Sequence, residues 1–402
     1  MDRVTLPDAA WRRRAGLAQL VDVLGAAGGE TRIVGGAVRD TLLGIGLDVA
    51  DVDLATRHPP QEVLDRLRTA GIKAVPTGLA HGTITAVLDS GPVEVTTLRR
   101  DVSTDGRHAI VDYTDDWRED AARRDFTINA LYADPLTGEL FDYFGGLDDL
   151  AAGRVRFIGD PLQRIAEDHL RILRYFRFHA RFGDTPDPAG LDACTARAND
   201  LMALSRERIA MEVRKLLVAR NAVPVVRLML ARGIFAPIVP EIDAGGVDRL
   251  ARLAGAEAAA AISPNPIRRL AALLPAEPET AAAIAARLKL SNAERKRLAV
   301  AQAPIDEATS EALAYRRGAG GAVDALLLAD APAEAARIAH WTPPGLPIGG
   351  GALVRRGVKA GPDVARLLRR IERQWIDEGF PAANRAEQLA DQAAEEWLRA
   401  TR

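Results

Sequence analysis

The stretch Ile33–Thr56, IVGGAVRDTLLGIGLDVADVDLAT, constrains the fold and the chemistry of this chain more than any other. It begins with the apolar pair Ile33-Val34, which is typical of a strand, and turns at Gly35-Gly36. A helix-like segment follows over 37–43. Two glycines between a strand and a helix let the backbone approach a bulky anion, and the first amides of the helix can donate to phosphate. The segment therefore predicts a phosphate-binding turn.

Two aspartates, Asp51 and Asp53, stand near the end of this stretch. Side chains two residues apart on a strand point to the same face. Paired carboxylates are typical ligands of a hard divalent cation such as Mg²⁺. Each fragment is common alone, because an Asp-x-Asp pair is more often a solvated strand face than a metal site. Together they predict metal-assisted nucleotidyl transfer, with Asp51 and Asp53 as catalytic metal ligands and Mg²⁺ as the cofactor.

In such a reaction a 3′-hydroxyl attacks the α-phosphate of a nucleoside triphosphate, and pyrophosphate leaves. Gly35, Gly36 and Arg39 are expected to hold the triphosphate, while Asp40 supports the turn. Glu94, on the polar side of a predicted strand, is a candidate third catalytic carboxylate. A solvated strand residue is an equally good interpretation of Glu94.

Length and composition limit the remaining possibilities. A chain of 402 residues predicts two to four structural units, and 48% hydrophobic with 27% charged residues is ordinary for a globular protein. The formal net charge of -2 does not by itself indicate nucleic-acid binding. One cysteine, Cys194, excludes an internal disulfide and a zinc cluster. Without a membrane-length apolar stretch or a signal peptide, the expected compartment is the cytoplasm.

The order of patterns predicts a mixed sheet with helices, followed by an all-helical arm. Residues 81–88 and 93–98 read as two strands of a hairpin, and the polar segment 99–120 reads as a long loop. Residues 155–158 are expected to form a short strand that closes the first unit. From Asp160-Pro161, a good helix opening, one helix is expected to continue to Phe182.

The whole Ile33–Thr56 string, in this order and spacing, resembles the signature of the class II tRNA nucleotidyltransferases, the CCA-adding enzymes, and of their relatives the bacterial poly(A) polymerases. Three further strings resemble that family in the expected order: RRDFTINA (123–130), EDHLRILRYFRF (167–178) and SRERI (205–209). The resemblance implies an α/β nucleotidyltransferase head at 1–158, a helical neck with the nucleotide-selecting motif at 159–220, and an all-α body and tail at 221–402 that binds tRNA.

The motif Glu167-Asp168-x-x-Arg171 looks like the family's nucleotide-selecting motif. Cytosine and adenine both present an exocyclic amine beside a ring nitrogen acceptor, so an ionised Asp can accept from the amine while an Arg donates to the ring nitrogen. Uracil and guanine would mismatch both contacts. Arg174 and Arg177, further along the helix, are expected to help bind the triphosphate or to orient the helix. Alone, the pattern is more typical of an ion-pair ladder.

The resemblance also implies roles for the other two motifs. In RRDFTINA the family's arginine reaches nucleotide phosphate, and Arg124 is the expected equivalent. SRERI is expected to cap a helix and support the neck. Four basic clusters could follow tRNA phosphates, although each is more often a solvated helix face: Arg268-Arg269, Arg295 to Arg297, Arg316-Arg317 and Arg355 to Lys359.

Within the family, the sequence favours complete C, C and A addition to tRNA from CTP and ATP. The segment HGTITAVLDSG looks like the CCA-adding form rather than the arginine-rich segment of poly(A) polymerases. The long segment after the VEVTTLR strand is present, whereas enzymes that add only the two cytidines have lost a flexible loop there. The alternatives are a poly(A) polymerase, a CC-only or A-only enzyme, and an inactive RNA-binding protein on this scaffold. The sequence does not determine the oligomeric state.

Overall fold

The computed structural model describes residues 5–46, 51–105 and 108–401, with side chains outside 101–111. The chain divides into two compact units, Met1–Pro240 and Glu241–Arg402. The first contains all the strands among the described residues, and the second is helical. The division into head, neck, body and tail at 158 and 220 stays a prediction.

The first unit is built on a seven-stranded mixed sheet with the order β3-β4-β5-β2-β1-β8-β9, in which β2 and β5 are parallel and the other neighbours antiparallel. A separate two-stranded ribbon pairs β6 with β7. The strands are β1 (Thr31–Val34), β2 (Asp53–Thr56), β3 (Lys73–Gly78), β4 (Thr83–Leu88), β5 (Gly91–Thr97), β6 (Arg99–Asp105), β7 (His108–Tyr113), β8 (Leu131–Ala133) and β9 (Leu140–Asp142).

Helices surround this sheet and continue beyond it. They are α1 (Leu17–Val23), α2 (Gly36–Leu42), α3 (Pro60–Thr69), α4 (Trp117–Ala122), α5 (Gly146–Ala151), α6 (Pro161–Glu167), α7 (Leu170–Phe182), α8 (Pro188–Ala196), α9 (Arg206–Leu217) and α10 (Ala222–Ala231). Asp160 caps α6 by accepting from the Gln163 amide at 2.8 Å, as the Asp160-Pro161 pair predicts. The mixed sheet with helices confirms the predicted fold class of the head.

The two faces of the sheet are covered differently. On one face α3 packs against β3 and β4, and inward residues such as Ile84 and Val95 are fully buried. On the other face Trp117 of α4 packs over Val34 of β1, Ala55 of β2 and Tyr132 of β8. Along β4 and β5, buried residues alternate with half-buried or exposed ones. The second face of the sheet is therefore not covered over these two strands.

The segment 99–120 is not the predicted long loop. It forms the antiparallel β6–β7 ribbon, followed by α4. Arg100 and Asp112 are paired across the ribbon, and their side chains form an exposed ion pair at 2.6 Å. A two-stranded ribbon outside the main sheet need not bury a face, so its sequence carries no hydrophobic alternation by which to recognise it.

The sheet also differs from the prediction at its edges. The predicted strand 155–158 is reduced to one isolated bridge between Phe157 and Phe126. That edge of the sheet is formed by β8 and β9, which were not predicted. Three-residue strands are too short for a period of two to be distinguished in the sequence.

The predicted continuous helix from Asp160 to Phe182 is wrong. It is divided into α6 and α7 by Asp168, which is extended, with φ −151° and ψ 106°. The Asp168 side chain accepts from the Leu170 amide at 3.1 Å, and this local contact competes with helical hydrogen bonding. Since Ile165 on one side and Ile172 on the other are both fully buried, the apolar period does not reveal the interruption.

The second unit is entirely helical within residues 241–401. Its helices are α11 (Ala244–Ala259), α12 (Pro266–Leu273), α13 (Pro278–Arg287), α14 (Asn292–Gln302), α15 (Ser310–Arg317), α16 (Ala319–Leu328), α17 (Pro332–Ala339), α18 (Gly350–Arg355), α19 (Pro362–Asp377) and α20 (Ala383–Ala400). This confirms the predicted all-helical arm. Among the described residues, no helix combines the length and apolarity needed to cross a membrane.

Candidate active site

The Gly35-Gly36 turn joins β1 to α2. Gly35 has φ 71° and ψ −121°, a conformation that favours glycine, and its amide donates to the Leu131 carbonyl at 3.0 Å. A Cβ built on Gly35 would lie 3.6 Å from Nη1 of Arg124. The bare backbone of the turn therefore faces an arginine. Because α2 has only seven residues, its dipole adds little, and the open backbone and the arginine are the main features for an anion.

The predicted carboxylates converge beside this turn. β2 begins at Asp53, which is opposite Glu94 in the parallel β2–β5 register, so the two side chains share one face. Asp51 precedes the strand by two residues. Asp53 is reached by solvent, yet the protein atoms around its carboxyl group raise its pKa to about 6. Burial is the largest cause; Glu94 and Asp51 raise the pKa further, whereas Arg124 lowers it.

This donor set fits a divalent cation. Burial is the largest cause of the raised pKa of Asp53, and the negative charges of Glu94 and Asp51 add to it; a bound cation would offset both contributions. Among the described residues no group of three or more His, Cys, Asp or Glu side chains is arranged to hold a metal. Mg²⁺ does not require one, because it is commonly bound through one or two carboxylates together with substrate phosphates.

Arg124 is held by a buried polar cluster. Its Nε donates to Tyr132 Oη at 3.2 Å and its Nη2 to Asp120 Oδ2 at 3.2 Å, while Tyr132 donates to the same carboxylate at 2.6 Å. Burial opposes the ionisation of Asp120, but Arg123 and Arg124 together hold its pKa at about 2. Arg124 is therefore oriented before any ligand binds.

A second support for Arg124 comes from α6 and α7. Arg164 donates to the carbonyls of Arg123 and Arg124 at 2.6 and 2.7 Å, and Arg171 donates to the Arg123 carbonyl at 3.3 Å. Both arginines are also paired with Glu167 at 2.6 Å. Sequence reasoning missed Arg164. Its only signal is its position one turn before the EDHLR motif.

Asp168 is paired away from the rest of its motif. It accepts from Arg208 of α9 at 2.8 Å, whereas Arg171 is paired with Glu167. Within the described residues, no hydrogen bond joins the Asp168 side chain to the Arg171 guanidinium. Arg208 belongs to the SRERI string, which suggested neck support, and its contact with Asp168 spans 40 residues of chain. No local spacing could have revealed it.

The three other predicted arginines have partners inside the fold. Arg39 is buried, donates to Asn129 Oδ1, and is paired with Asp40 at 2.7 Å. Arg174 is paired with Asp125 at 2.5 Å, and Arg177 with Glu212 at 2.5 Å. These contacts favour an orienting role for the three side chains. Direct binding of the triphosphate by these arginines stays a prediction.

Asp40 accepts from Arg39 and, at 3.0 Å, from Arg181 of α7, so it links α2 to α7; its expected support of the Gly35-Gly36 turn stays a prediction. Two cavities of the described residues lie elsewhere. One cavity, of about 780 Å³, lies along the surface of α3. The other, of about 270 Å³, lies in the second unit between α11, α12 and α16. Neither is lined by a predicted site residue.

Known proteins resemble this chain along nearly its whole length. The human mitochondrial CCA tRNA nucleotidyltransferase 1 is 34% identical over 385 residues, which cover 91% of this chain and 87% of that protein. The chain belongs to the CCA tRNA nucleotidyltransferase family. A CCA-adding enzyme of Limosilactobacillus fermentum is 31% identical over 368 residues, which cover 87% of this chain and 90% of the relative.

Domain models and solved structures agree with membership of the CCA tRNA nucleotidyltransferase family. Residues 31–156 match the poly A polymerase head domain, and residues 185–245 match the probable RNA and SrmB-binding site of polymerase A. The Bacillus stearothermophilus CCA-adding enzyme in complex with CTP is similar over 91% of this chain and 94% of its own, with a TM-score of 0.72 and 27% identity. The Thermotoga maritima enzyme complexed with tRNA shares the fold, with a TM-score of 0.69 at 19% identity.

Proposed function

We propose that this protein adds C, C and A to the 3′ end of tRNA without a nucleic-acid template, using CTP and ATP and releasing pyrophosphate. The observation that carries the proposal is the register of Asp53 beside Glu94, next to the Gly35 turn that Arg124 faces. Family membership supports the choice of substrates, because the human relative is named a CCA tRNA nucleotidyltransferase and the B. stearothermophilus structure contains CTP.

Asp51 and Asp53 are the proposed ligands of Mg²⁺, with Glu94 as the third carboxylate. When bound, the ion would neutralise phosphate charge and lower the pKa of the attacking 3′-hydroxyl. Glu94 is on β5, the neighbour of β2 on the side away from β1, so the carboxylates form a row with the Gly35 turn at one end. The backbone of Gly35 and Gly36 and the guanidinium of Arg124 would bind the triphosphate at that end.

Asp168 and Arg171 are proposed to read the base. Asp168 would accept from the exocyclic amine of C or A, and Arg171 would donate to the ring nitrogen, as charge-assisted hydrogen bonds. Each side chain already has a partner of opposite charge, Arg208 and Glu167 respectively. These partners limit the freedom of both side chains, so less ordering is needed when a nucleotide binds.

Two further assignments are part of the proposal. The helical body and tail at 221–402 would bind tRNA, although Arg268 and Arg269 within it are buried and therefore do not form a phosphate-binding surface. The protein is expected to act in the cytoplasm, whereas the human relative is named as mitochondrial. Subcellular fractionation of the source cells tests this location: the protein should be recovered with cytoplasmic markers, and recovery with an organelle would contradict it.

The direct test offers the purified protein tRNA that lacks its CCA end, Mg²⁺ and one labelled nucleotide at a time. We expect addition of two C when CTP is offered, and of one A when ATP is then supplied to that product. An Asp51→Ala variant should incorporate nothing while keeping its circular dichroism spectrum, and Asp89→Ala, in the exposed β4–β5 turn, is the matched control.

Other results would replace this function by a stated alternative. Long A tails would indicate a poly(A) polymerase, and addition of C alone or A alone a partial enzyme. Binding of tRNA without any incorporation would indicate an inactive RNA-binding protein. Turnover by Asp51→Ala would remove that carboxylate from the mechanism.

A further inference from the structure

The sheet face that carries Asp53 and Glu94 is covered on one side of these residues and open on the other. Over β1, β2 and β8 the face is covered by Trp117 and its neighbours, which bury Val34 and Ala55. Over β5, β4 and β3 the alternate side chains on this face are half-buried or exposed. The two carboxylates thus stand at the border between a covered and an open half of the same face.

The open half carries hydroxyl groups and two exposed apolar side chains. We call it the open half-sheet and define it by six residues: Val75, Thr77, Thr83, Thr85, Val87 and Thr96. The hydroxyls contact one another in cross-strand pairs, Thr77 with Thr85 at 2.7 Å and Thr83 with Thr96 at 3.1 Å. Val75 and Val87 are 39% and 40% exposed, which is unusual for β-branched residues in the middle of paired strands.

The open half-sheet is continuous with the carboxylates. Asp53 of β2 is opposite Glu94 of β5, Glu94 is opposite Thr85 of β4, and Thr85 is opposite Val75 of β3. Paired residues of neighbouring strands share a face, so the four side chains form one row across the sheet. At about 4.8 Å per strand, Thr85 is roughly 10 Å from Asp53, a separation that a nucleotide can span.

The geometry of displacement determines which side of the carboxylates each reactant occupies. The attacking and leaving oxygens are roughly in line on opposite sides of the phosphorus. The Gly35 turn, next to β1, is on one side of Asp53, and Glu94 and the open half-sheet are on the other. If the leaving pyrophosphate is held at the turn, the 3′-hydroxyl must approach from the β5 side. The covered half offers no path, because Trp117 fills it.

The rim of the open half-sheet is basic. Lys73 is exposed and opposite Val87 in the β3–β4 register. Arg14 donates to the carbonyl of Pro92, the β5 residue opposite Val87, at 2.9 Å, and Arg99 donates to the carbonyl of His81 just before β4. Three cations around a face of neutral hydroxyls suit a polyanion that also offers hydroxyl groups.

We propose that the open half-sheet binds the 3′-terminal nucleotides of the RNA that is extended, with Thr85 and Thr83 contacting the sugar-phosphate backbone. The proposal rests on the proposed function, since it takes the attacking group to be an RNA 3′-hydroxyl at Asp53 and Glu94. Threonine hydroxyls donate to phosphate oxygens and both donate to and accept from the ribose 2′-hydroxyl, without reading the base. Such contacts suit a site where the terminal base changes at each addition.

Cross-linking tests the position of the RNA directly. The chain has one cysteine, Cys194, and it is fully buried, so a surface cysteine introduced by substitution reacts alone. The Thr85→Cys variant is mixed with tRNA that lacks CCA and carries a disulfide-activated thiol on its last phosphate. The matched control is Thr69→Cys, an exposed threonine of α3, which packs on the opposite face of the sheet.

We expect Thr85→Cys to cross-link at least about tenfold faster than Thr69→Cys, because bound RNA raises the effective concentration of the thiol. Unmodified tRNA should compete for the reaction. Equal rates for the two variants, or a cross-link that excess tRNA does not reduce, would overturn the proposal.

Kinetics separate this inference from the function on which it rests. Thr85→Glu adds a negative charge beside the proposed RNA path, and we expect KM for tRNA to rise by about tenfold or more through like-charge repulsion, with KM for CTP little changed. The same change at Thr69 is the control. Normal incorporation with an unchanged KM for tRNA would overturn the inference and leave the function intact. Selective, competed cross-linking in a protein that adds no nucleotide would support the RNA path and refute the function.

Discussion

Asp53 has a property that can be measured without substrate, because its pKa is raised to about 6 from an ordinary value of 3.8. The folded protein therefore keeps a proton that the unfolded chain releases between pH 3.8 and 6. Folding stability falls across that window, and the whole penalty is present above pH 6. Since Asp53 is accessible to solvent, screening limits this penalty to about 1 kcal/mol.

In chelator-treated protein, Asp53→Asn should consequently raise the melting temperature at pH 7.5 and leave it nearly unchanged at pH 3.5. Thermal unfolding followed by circular dichroism measures both values, with Asp89→Asn as a control for a general loss of negative charge. An unchanged or lower melting temperature at pH 7.5 would show that the folded protein does not raise the pKa of Asp53.

The Asp168–Arg208 ion pair leads to a second prediction about single side chains. Asp168→Ala should reduce the preference for C and A over U and G, because the acceptor for the exocyclic amine is lost. Arg208→Ala leaves that acceptor in place but unoriented, so we expect a rise in KM for CTP and ATP with the base preference largely kept. Arg208→Lys should recover part of the loss. Incorporation of each nucleotide in competition measures the preference, and an unchanged preference in Asp168→Ala would make the motif purely structural.

The site residues differ in how far the sequence reveals them. The placement of Asp53 and Glu94 on one face beside the Gly35 turn could be predicted, because turn residues and the strand period of two act within a few residues; the catalytic roles of these residues stay predictions. The contact of Arg208 could not be predicted, since its partner lies 40 residues away and the pairing depends on how α9 packs on α7.

At the scale of elements, the β6–β7 ribbon occupies the segment that the sequence suggested as a movable loop. Its position directly after β5, the strand of Glu94, makes it a candidate for the element that reshapes the site between C and A addition. Replacing residues 102–110 by a short glycine-containing turn should reduce A addition by tenfold or more, a roughly 1.4 kcal/mol effect, with C addition little affected.

Single-nucleotide incorporation onto tRNA ending in CC, compared with tRNA lacking CCA, measures the two steps separately. Equal losses in both steps would assign the ribbon to general stability. A matched replacement of the β4–β5 turn, residues 89–91, shows the effect of shortening a turn at the other end of β5.

Element boundaries show why part of the fold could not be predicted. The Asp160 cap and the β4–β5 hairpin follow from local residue chemistry, and both are present. The interruption at Asp168 depends on a side chain that accepts from the Leu170 amide and also pairs with Arg208. Such tertiary competition overrides a helical period that looks continuous in the sequence.

For the molecule as a whole, the second unit depends on a buried ionic cluster. Arg268, 2% exposed, is paired with Glu257 at 2.6 Å and with Asp324 at 3.0 Å, and Asp324 also binds Arg297. Removing one member of a buried cluster leaves uncompensated charge, which typically costs about 3–5 kcal/mol. The sequence presented Arg268 only as one of several basic residues on helices.

Arg268→Ala should therefore destabilise the second unit by about 3 kcal/mol, because Glu257 and Asp324 stay buried without it. Chemical denaturation followed by circular dichroism measures the change. Lys296→Ala, an exposed residue of α14, is the control and should leave stability within about 0.5 kcal/mol. Equal stability of the two variants would show that Arg268 is dispensable for folding.

The proposed function requires that protein side chains, rather than a template strand, choose the nucleotides added to tRNA. The most direct measurement is the intact mass of tRNA lacking its CCA end after reaction with this protein, Mg²⁺ and all four nucleoside triphosphates together. A single product heavier by C, C and A, with no further growth, is the predicted result. Incorporation of U or G, a ladder of A tails, or unchanged tRNA would contradict it.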